Sequence, residues 1–355
     1  MKALILAGGK GTRLKPITDT MAKHLIPVAN RPILFHALDK IKQASMREIG
    51  MVVSSETDCL IKQAVGSGSK WNVKITYILQ QKPMGIAHAV KSARGFLTDS
   101  PFLMFLGDNL VQSEIGQFID EFNIHQSDAL ILLKEVENPS AFGVAELDSC
   151  GKVRCVVEKP KRPKSKMAIV GIYIFNSDIH NAIDRIKPSR RGELEITDAI
   201  QELLKMNKEV RSLTLSGWWL DAGTGENILE ANRNVMLDCI GRDVRGNVDS
   251  KSKIVGQVKI EIGTQILNSY IEGPVIIDEN CRISNSSIGP FVSVGAGAEV
   301  DKSCIRNSVV MTGCQISLTD KLNDSIIGSG SRVFGRSGIH HGTSLSIGEN
   351  SSIQL

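Results

Sequence analysis

The chain has 355 residues, 42% hydrophobic and 23% charged, a balance that excludes a disordered or membrane-embedded protein and exceeds in length what one hydrophobic core usually organises. Its 42 basic and 38 acidic residues leave a formal charge of +4, too even to mark a nucleic-acid-binding surface. No run approaches the roughly 20 apolar residues that span a bilayer, so a cytoplasmic protein with no membrane or nucleic-acid partner is expected.

Up to residue 240, short apolar runs alternate with longer amphipathic stretches. Ala3 to Ala7, Ile49 to Ser54, Val73 to Leu79, Phe102 to Leu106 and Ala129 to Val136 read as strands. Ile33 to Ala44, Ile86 to Phe96, Ile115 to His125 and Ile196 to Met206 carry helical spacing and good helix formers. That alternation predicts an α/β domain over residues 1–240, Rossmann-like, with a mostly parallel sheet. The seven cysteines include no C-x-x-C pair, so neither a disulfide framework nor a zinc site is expected. Cys150 and Cys155 flank a Gly-Lys turn and read as two strand residues near a hairpin.

From residue 250 to 355 the helical pattern gives way to a repeat. Ile254, Ile271, Ile288, Ile305 and Leu322 stand seventeen apart, and Ser252, Ser269, Ser286 and Ser303 keep the same interval. Within each interval the aliphatics step mostly by six, as in Ile271, Ile277 and Ile283. Two steps of six and one of five describe a three-sided coil with one aliphatic per side pointing inward. Beyond residue 317 the register slips, and an irregular last coil is expected. The hexapeptide-like pattern resembles the left-handed parallel β-helix of sugar acyltransferases and sugar-nucleotide enzymes; the handedness is implied by that resemblance alone.

Candidate chemistry lies in the first domain. Directly after the first strand, Gly8-Gly9-Lys10-Gly11-Thr12-Arg13-Leu14 lets backbone N–H groups approach an anion closely. The run is neither a Walker P-loop, which continues Gly-Lys with Ser or Thr, nor a dinucleotide fingerprint, because Leu14 stands at the third glycine. Arg13 and Lys23 add the mobile positive charge that a polyphosphate needs. Asp108 follows an apolar run, which places it at the carboxyl end of a parallel strand, and Asp221 follows Trp218-Trp219-Leu220 in the same way. Two carboxylates at that edge suit Mg²⁺. The alternative for each aspartate is a helix cap.

These residues, with Lys23-His24-Leu25-Ile26-Pro27-Val28, Gln80, Pro83-Met84-Gly85-Ile86-Ala87, Leu106-Gly107-Asp108-Asn109, Val157-Glu158-Lys159-Pro160 and Gly192-Glu193-Leu194-Glu195-Ile196-Thr197-Asp198, resemble the sugar-1-phosphate nucleotidyltransferases over essentially the whole chain. The nearest resemblance is to the branch using dTTP and glucose 1-phosphate, in its longer form with a C-terminal β-helix. The resemblance implies attack by a sugar phosphate oxygen on the α-phosphorus of dTTP, or of UTP, with Mg²⁺ as cofactor. Arg13 is assigned to the departing pyrophosphate, Lys23 to phosphates near the reacting centre, Lys159 to the sugar phosphate, and Asp108 with Asp221 to the metal. Gly8, Gly9, Gly11 and Thr12 would line the nucleotide, with Gln80 and Gly85 against the pyrimidine. Gly143, Glu158, Glu193, Glu195 and Thr197 would surround the sugar, although Glu193 and Glu195 also suit the first turn of a helix starting near Ile196. Phe142 stands where relatives often have tyrosine, and Met84 where the short forms have an acidic residue. A homo-oligomer is expected, the coil serving assembly or stability. The rival is acyl transfer in the coil, which relies on histidine; residues 250–338 contain none, and His340-His341 follow.

Overall fold

The computed structural model describes residues 1–335 and 343–355, and it divides into two compact units, residues 1–10 with 34–221 and residues 11–33 with 222–355. Among the described residues, the change from mixed elements to coil strands alone falls after the helix Gly225–Cys239.

The first unit is built on one nine-stranded sheet. Its main path runs Val153–Glu158, Gly143–Leu147, Met167–Phe175, Phe102–Leu106, Lys2–Leu6, Glu48–Ser54, Lys74–Gln80. Lys2–Leu6 pairs in parallel with Phe102–Leu106 on one side and with Glu48–Ser54 on the other, and Glu48–Ser54 pairs in parallel with Lys74–Gln80. Continuous burial along Ala3–Leu6 and Ile49–Ser54 explains why these strands are apolar runs and not alternating ones. The nine-residue strand Met167–Phe175 runs antiparallel to Phe102–Leu106 and to Ala129–Glu135, whose far edge carries Val210–Thr214 in parallel. Phe102 and Phe175, both fully buried, pack with ring centroids 5.8 Å apart across this junction.

The helices Ile33–Gln43, Gly116–His125 and Ile196–Lys205 fall where the spacing places them. The stretch Ile86 to Phe96 is two helices, Ile86–Ser92 and Arg94–Leu97, interrupted at Ala93 with φ −90° and ψ 0°. Cys155 lies in the hairpin strand Val153–Glu158, but Cys150 sits in the turn before it. Its backbone N–H is held by the Asp148 carboxylate at 2.8 Å, and no ladder partner is left to it.

In the second unit the described residues after 240 form three parallel sheets of seven, seven and five strands, a parallel β-helix. Ile254, Ile271, Ile288, Ile305 and Leu322 sit directly above one another in one sheet. The serine repeat has its own cause. The Ser252, Ser269, Ser286 and Ser303 hydroxyls accept from the backbone N–H one coil on, at 3.0, 3.1, 3.1 and 3.2 Å, so each corner is laced to the next. The seventeen-residue step stretches to twenty at the end, where Arg332 pairs with Ser352 and Ile326 with Ser346, which makes the last coil the irregular one. His340 and His341 lie outside the described residues.

Candidate active site

Carboxyl ends of neighbouring parallel strands bring the first group of residues together. The Gly107 N–H donates to the Leu6 carbonyl at 2.9 Å, so Gly8 and Asp108 leave the sheet side by side. Ser54 pairs with Gln80 at the end of the next ladder, and a Cβ on Gly8 would stand 3.4 Å from the Ser54 nitrogen and 3.5 Å from Gln80 Oε1. These are ordinary contact distances, so space does not force glycine there; the missing side chain leaves the backbone open.

Asp108 is 9% exposed and sits at the end of its parallel strand as expected. Asp221 does not. It ends the short strand Trp219–Asp221, which pairs antiparallel with Asn109–Val111 in a separate two-stranded ribbon, Asp221 opposite Asn109. The apolar run before it is three residues long and pairs outside the main sheet. The ribbon still places both aspartates at one spot, adjacent to and across from Asn109. Neither caps a helix: Asp108 leads into a strand, and the helix after Asp221 is capped by Thr224, whose hydroxyl accepts from the Asn227 N–H at 3.3 Å.

Asn109 itself, buried to 2%, carries no role in the sequence-based expectation. Its Oδ1 accepts from the Gly171 N–H at 3.2 Å and from Trp219 Nε1 at 2.6 Å, and its Nδ2 donates to Asp108 Oδ1 at 3.1 Å. One side chain thus fills the irregularity in Met167–Phe175, between Ile169 and Tyr173, anchors the ribbon and orients the Asp108 carboxylate.

Gln80 and Gly85 face each other across a tight turn. Gln80 Nε2 donates to the Gly85 carbonyl at 3.2 Å and lies 2.9 Å from His88 Nδ1. Gly85 adopts φ +98° and ψ 174°, a region left to glycine, and a Cβ there would stand 2.5 Å from the Leu194 carbonyl oxygen. Leu194 is bonded to this turn in both directions, its N–H to the Met84 carbonyl at 2.7 Å and its carbonyl to the Ala87 N–H at 3.0 Å.

Through Leu194 the turn joins a polar cluster made of the remaining expected residues. Gly143 and Glu158 are ladder partners, and a Cβ on Gly143 would stand 2.7 Å from Thr197 Cγ2 and 3.3 Å from Glu158 Oε2. Thr197, 1% exposed, donates its hydroxyl to Glu158 Oε2 at 3.1 Å. Arg191, not among the expected residues, pairs with Glu158 and Glu193 at 3.3 Å and with Glu195 at 3.5 Å. Its proximity to Glu193 and Glu195 in the chain is a signal; its pairing with Glu158 leaves none. Glu195 occupies the N-cap position of Ile196–Lys205 without capping it, because its carboxylate instead accepts from the Ser189 hydroxyl at 2.9 Å. Burial holds the Glu195 carboxyl above the usual range, with the neighbouring Glu158 and Glu193 charges adding to it. Lys159 projects into solvent from a left-handed backbone, φ +41°, directly after Glu158, with its ammonium 3.9 Å from that carboxylate. Side chains rarely take that conformation, and it clusters at functional sites.

The chain passes from Gly8 and Gly9 in the first unit to Gly11, Thr12, Arg13 and Lys23 in the second. Gly11, at φ +66°, packs so closely on Lys23 that a Cβ would lie 2.9 Å from Lys23 Cβ, and its carbonyl accepts from the Thr18 hydroxyl at 2.8 Å. This brings Lys23 against Gly11. Thr12 and Arg13 are exposed beside it on one turn of 3₁₀ helix, Thr12–Leu14.

Residues 2–237 match the family model described as nucleotidyl transferase. The chain belongs to the nucleotidyl transferase family. As a nucleotidyltransferase it is 42% identical over 355 residues, all of this chain and 99% of the relative, to a glucose-1-phosphate thymidylyltransferase of Streptomyces griseus. A protein of the same name from Streptomyces antibioticus is 44% identical over 92% of both chains. Residues 271–354 match the GMPPB C-terminal domain. A crystal structure of a Bacillus anthracis protein, described as a putative glucose-1-phosphate thymidylyltransferase in complex with sucrose, superposes with a TM-score of 0.63 at 39% identity. It covers 66% of this nucleotidyltransferase and 94% of the other chain. Among the described residues no helix is long and apolar enough to cross a membrane.

Proposed function

We propose that this nucleotidyltransferase transfers the thymidylyl group of dTTP to glucose 1-phosphate, giving dTDP-glucose and pyrophosphate, in the cytoplasm. An anionic oxygen of the sugar phosphate forms the new bond to the α-phosphorus while the bond to the bridging oxygen of the β-phosphate breaks. A phosphate monoester is already anionic near neutral pH, so no general base is needed, and catalysis rests on positioning and charge neutralisation. The observation carrying this reading is the linkage through Leu194 of two groups of residues, Gln80 and Gly85 on one side and Glu158, Glu193, Glu195 and Thr197 on the other, whose oxygens would accept from sugar hydroxyls in this reading.

In this reading Gly8, Gly9, Gly11 and Thr12 line the triphosphate, Arg13 meets the departing pyrophosphate, Lys23 the phosphates at the reacting centre and Lys159 the sugar phosphate. Asp108 and Asp221 would hold Mg²⁺. The donor set fits: two carboxylates, Asp108 next to Asn109 and Asp221 opposite it in the ribbon, offer oxygen ligands. Mg²⁺ prefers one or two carboxylates with waters and substrate phosphates. When bound, the ion neutralises phosphate charge.

The test is pyrophosphate release across a grid of nucleoside triphosphates and sugar 1-phosphates, with and without EDTA, for the wild type and Asp108→Asn. Turnover of dTTP with glucose 1-phosphate that is lost on chelation, and at least about 100-fold lower in Asp108→Asn with unchanged thermal unfolding, is the expected result. A wild type silent across the grid refutes the reaction, and near-normal Asp108→Asn refutes the metal assignment.

A further inference from the structure

Gln80 as a residue type offers a donor and an acceptor at once, and the structure uses up one of them. Its Nε2 donates to the Gly85 carbonyl at 3.2 Å and lies 2.9 Å from His88 Nδ1. A carbonyl oxygen can only accept, so the amide orientation is set by the backbone, and His88 Nδ1 must then be the acceptor of the second N–H. The imidazole is therefore neutral, with its proton on Nε2. Burial, followed by the Lys91 ammonium, holds His88 below its ordinary pKa, in keeping with that form. What remains is Oε1, which accepts no hydrogen bond among the described residues and stands beside Gly8 at the head of the glycine loop.

We propose that His88 is a specificity-determining positioning residue: its Nδ1 anchors the Gln80 amide so that only a hydrogen-bond acceptor is turned toward the nucleobase. The inference rests on the proposed placement of Gln80 at the base. A lone acceptor suits the N3–H of an imide base, thymine or uracil, and rejects cytosine, whose N3 is itself an acceptor. Sites that leave a buried polar group unpaired discriminate strongly against the wrong ligand. Without His88 the amide keeps one anchor of two, and rotation presents a donor to cytosine.

The test measures binding of dTTP and dCTP by calorimetry on the full chain, with turnover of dTTP alongside, for the wild type, His88→Asn, His88→Ala and Gln80→Ala. Asn at this position sets Oδ1 near where Nδ1 was and keeps an acceptor. His88 lies half-buried on a helix face, so both substitutions are compatible with the fold. The expected result is a dTTP preference kept by His88→Asn and narrowed about tenfold by His88→Ala, the strength of one net hydrogen bond, with the loss falling on KM for dTTP and not on kcat. A His88→Ala preference equal to the wild type, where Gln80→Ala narrows it, overturns the role of His88 alone. An unchanged preference in Gln80→Ala overturns the base contact and the His88 role with it.

Discussion

Gly85→Ala isolates the contact that joins the two halves of the proposed pocket. At φ +98° and ψ 174° a non-glycine residue costs about 1–3 kcal/mol in backbone strain. Its Cβ would also stand 2.5 Å from the Leu194 carbonyl and 2.9 Å from the Leu194 nitrogen, both rigid backbone atoms. Relief requires the turn to move off Leu194, which loosens the bonds from Leu194 N–H to Met84 and from Ala87 N–H to Leu194. Two such bonds add about 2 kcal/mol, for a total near 3–5 kcal/mol. Gly151→Ala is the matched control, because Gly151 also has positive φ, +80°, yet a Cβ there meets nothing within 4 Å. Strain alone, about 1 kcal/mol, is expected of it. At about 2 °C per kcal/mol for a chain of this size, thermal unfolding should fall by about 2 °C in Gly151→Ala and about 6–10 °C in Gly85→Ala. Calorimetric titration should show Gly85→Ala losing affinity for dTTP and glucose 1-phosphate together, since the displaced turn carries Gln80's anchor, the Gly85 carbonyl, and packs against Leu194 and its neighbour Glu193. A Gly85→Ala protein that melts with the Gly151→Ala control and binds both ligands normally refutes the reasoning.

Two further outcomes follow from the buried polar groups. Asn109→Leu leaves the Gly171 and Trp219 donors without their acceptor, which should cost about 2–5 kcal/mol in urea unfolding followed by tryptophan emission; a loss under about 1 kcal/mol would show that the ribbon is held by its ladder alone. Glu195, whose folded pKa lies above its unfolded value near 4.5, keeps its proton in the folded state after the unfolded chain has released it. The stability it contributes is complete below pH 4.5 and declines as pH rises through the folded value, so Glu195→Gln should flatten that decline; identical pH profiles for the two proteins would remove burial as the dominant influence on this group.

What is legible in the sequence is what geometry repeats or isolates. A coil imposes one residue type at one position every turn, so the Ile column and the serine ladder show in the residue order itself as a seventeen-residue period. The glycine loop is legible in part for a related reason, because Gly11, at positive φ, stands where a Cβ would press on Lys23. The ribbon Trp219–Asp221 is not legible: three residues show no period, and the partner strand lies 110 positions earlier. The antiparallel strand Met167–Phe175 carries an apolar run as plain as any, but it breaks the strand-helix alternation from which a mostly parallel sheet is inferred. Arg191 shows its local partners Glu193 and Glu195 in the residue order, but its pairing with Glu158 joins positions 33 residues apart and leaves no trace there. Gln80 marks the limit most sharply. Residue type states which hydrogen bonds an amide can make; Gly85 and His88 decide which one is left for a ligand. A specificity argument drawn from residue type alone therefore keeps donor and acceptor both open, and the orientation that closes one of them is set by two neighbours, five and eight positions along the chain.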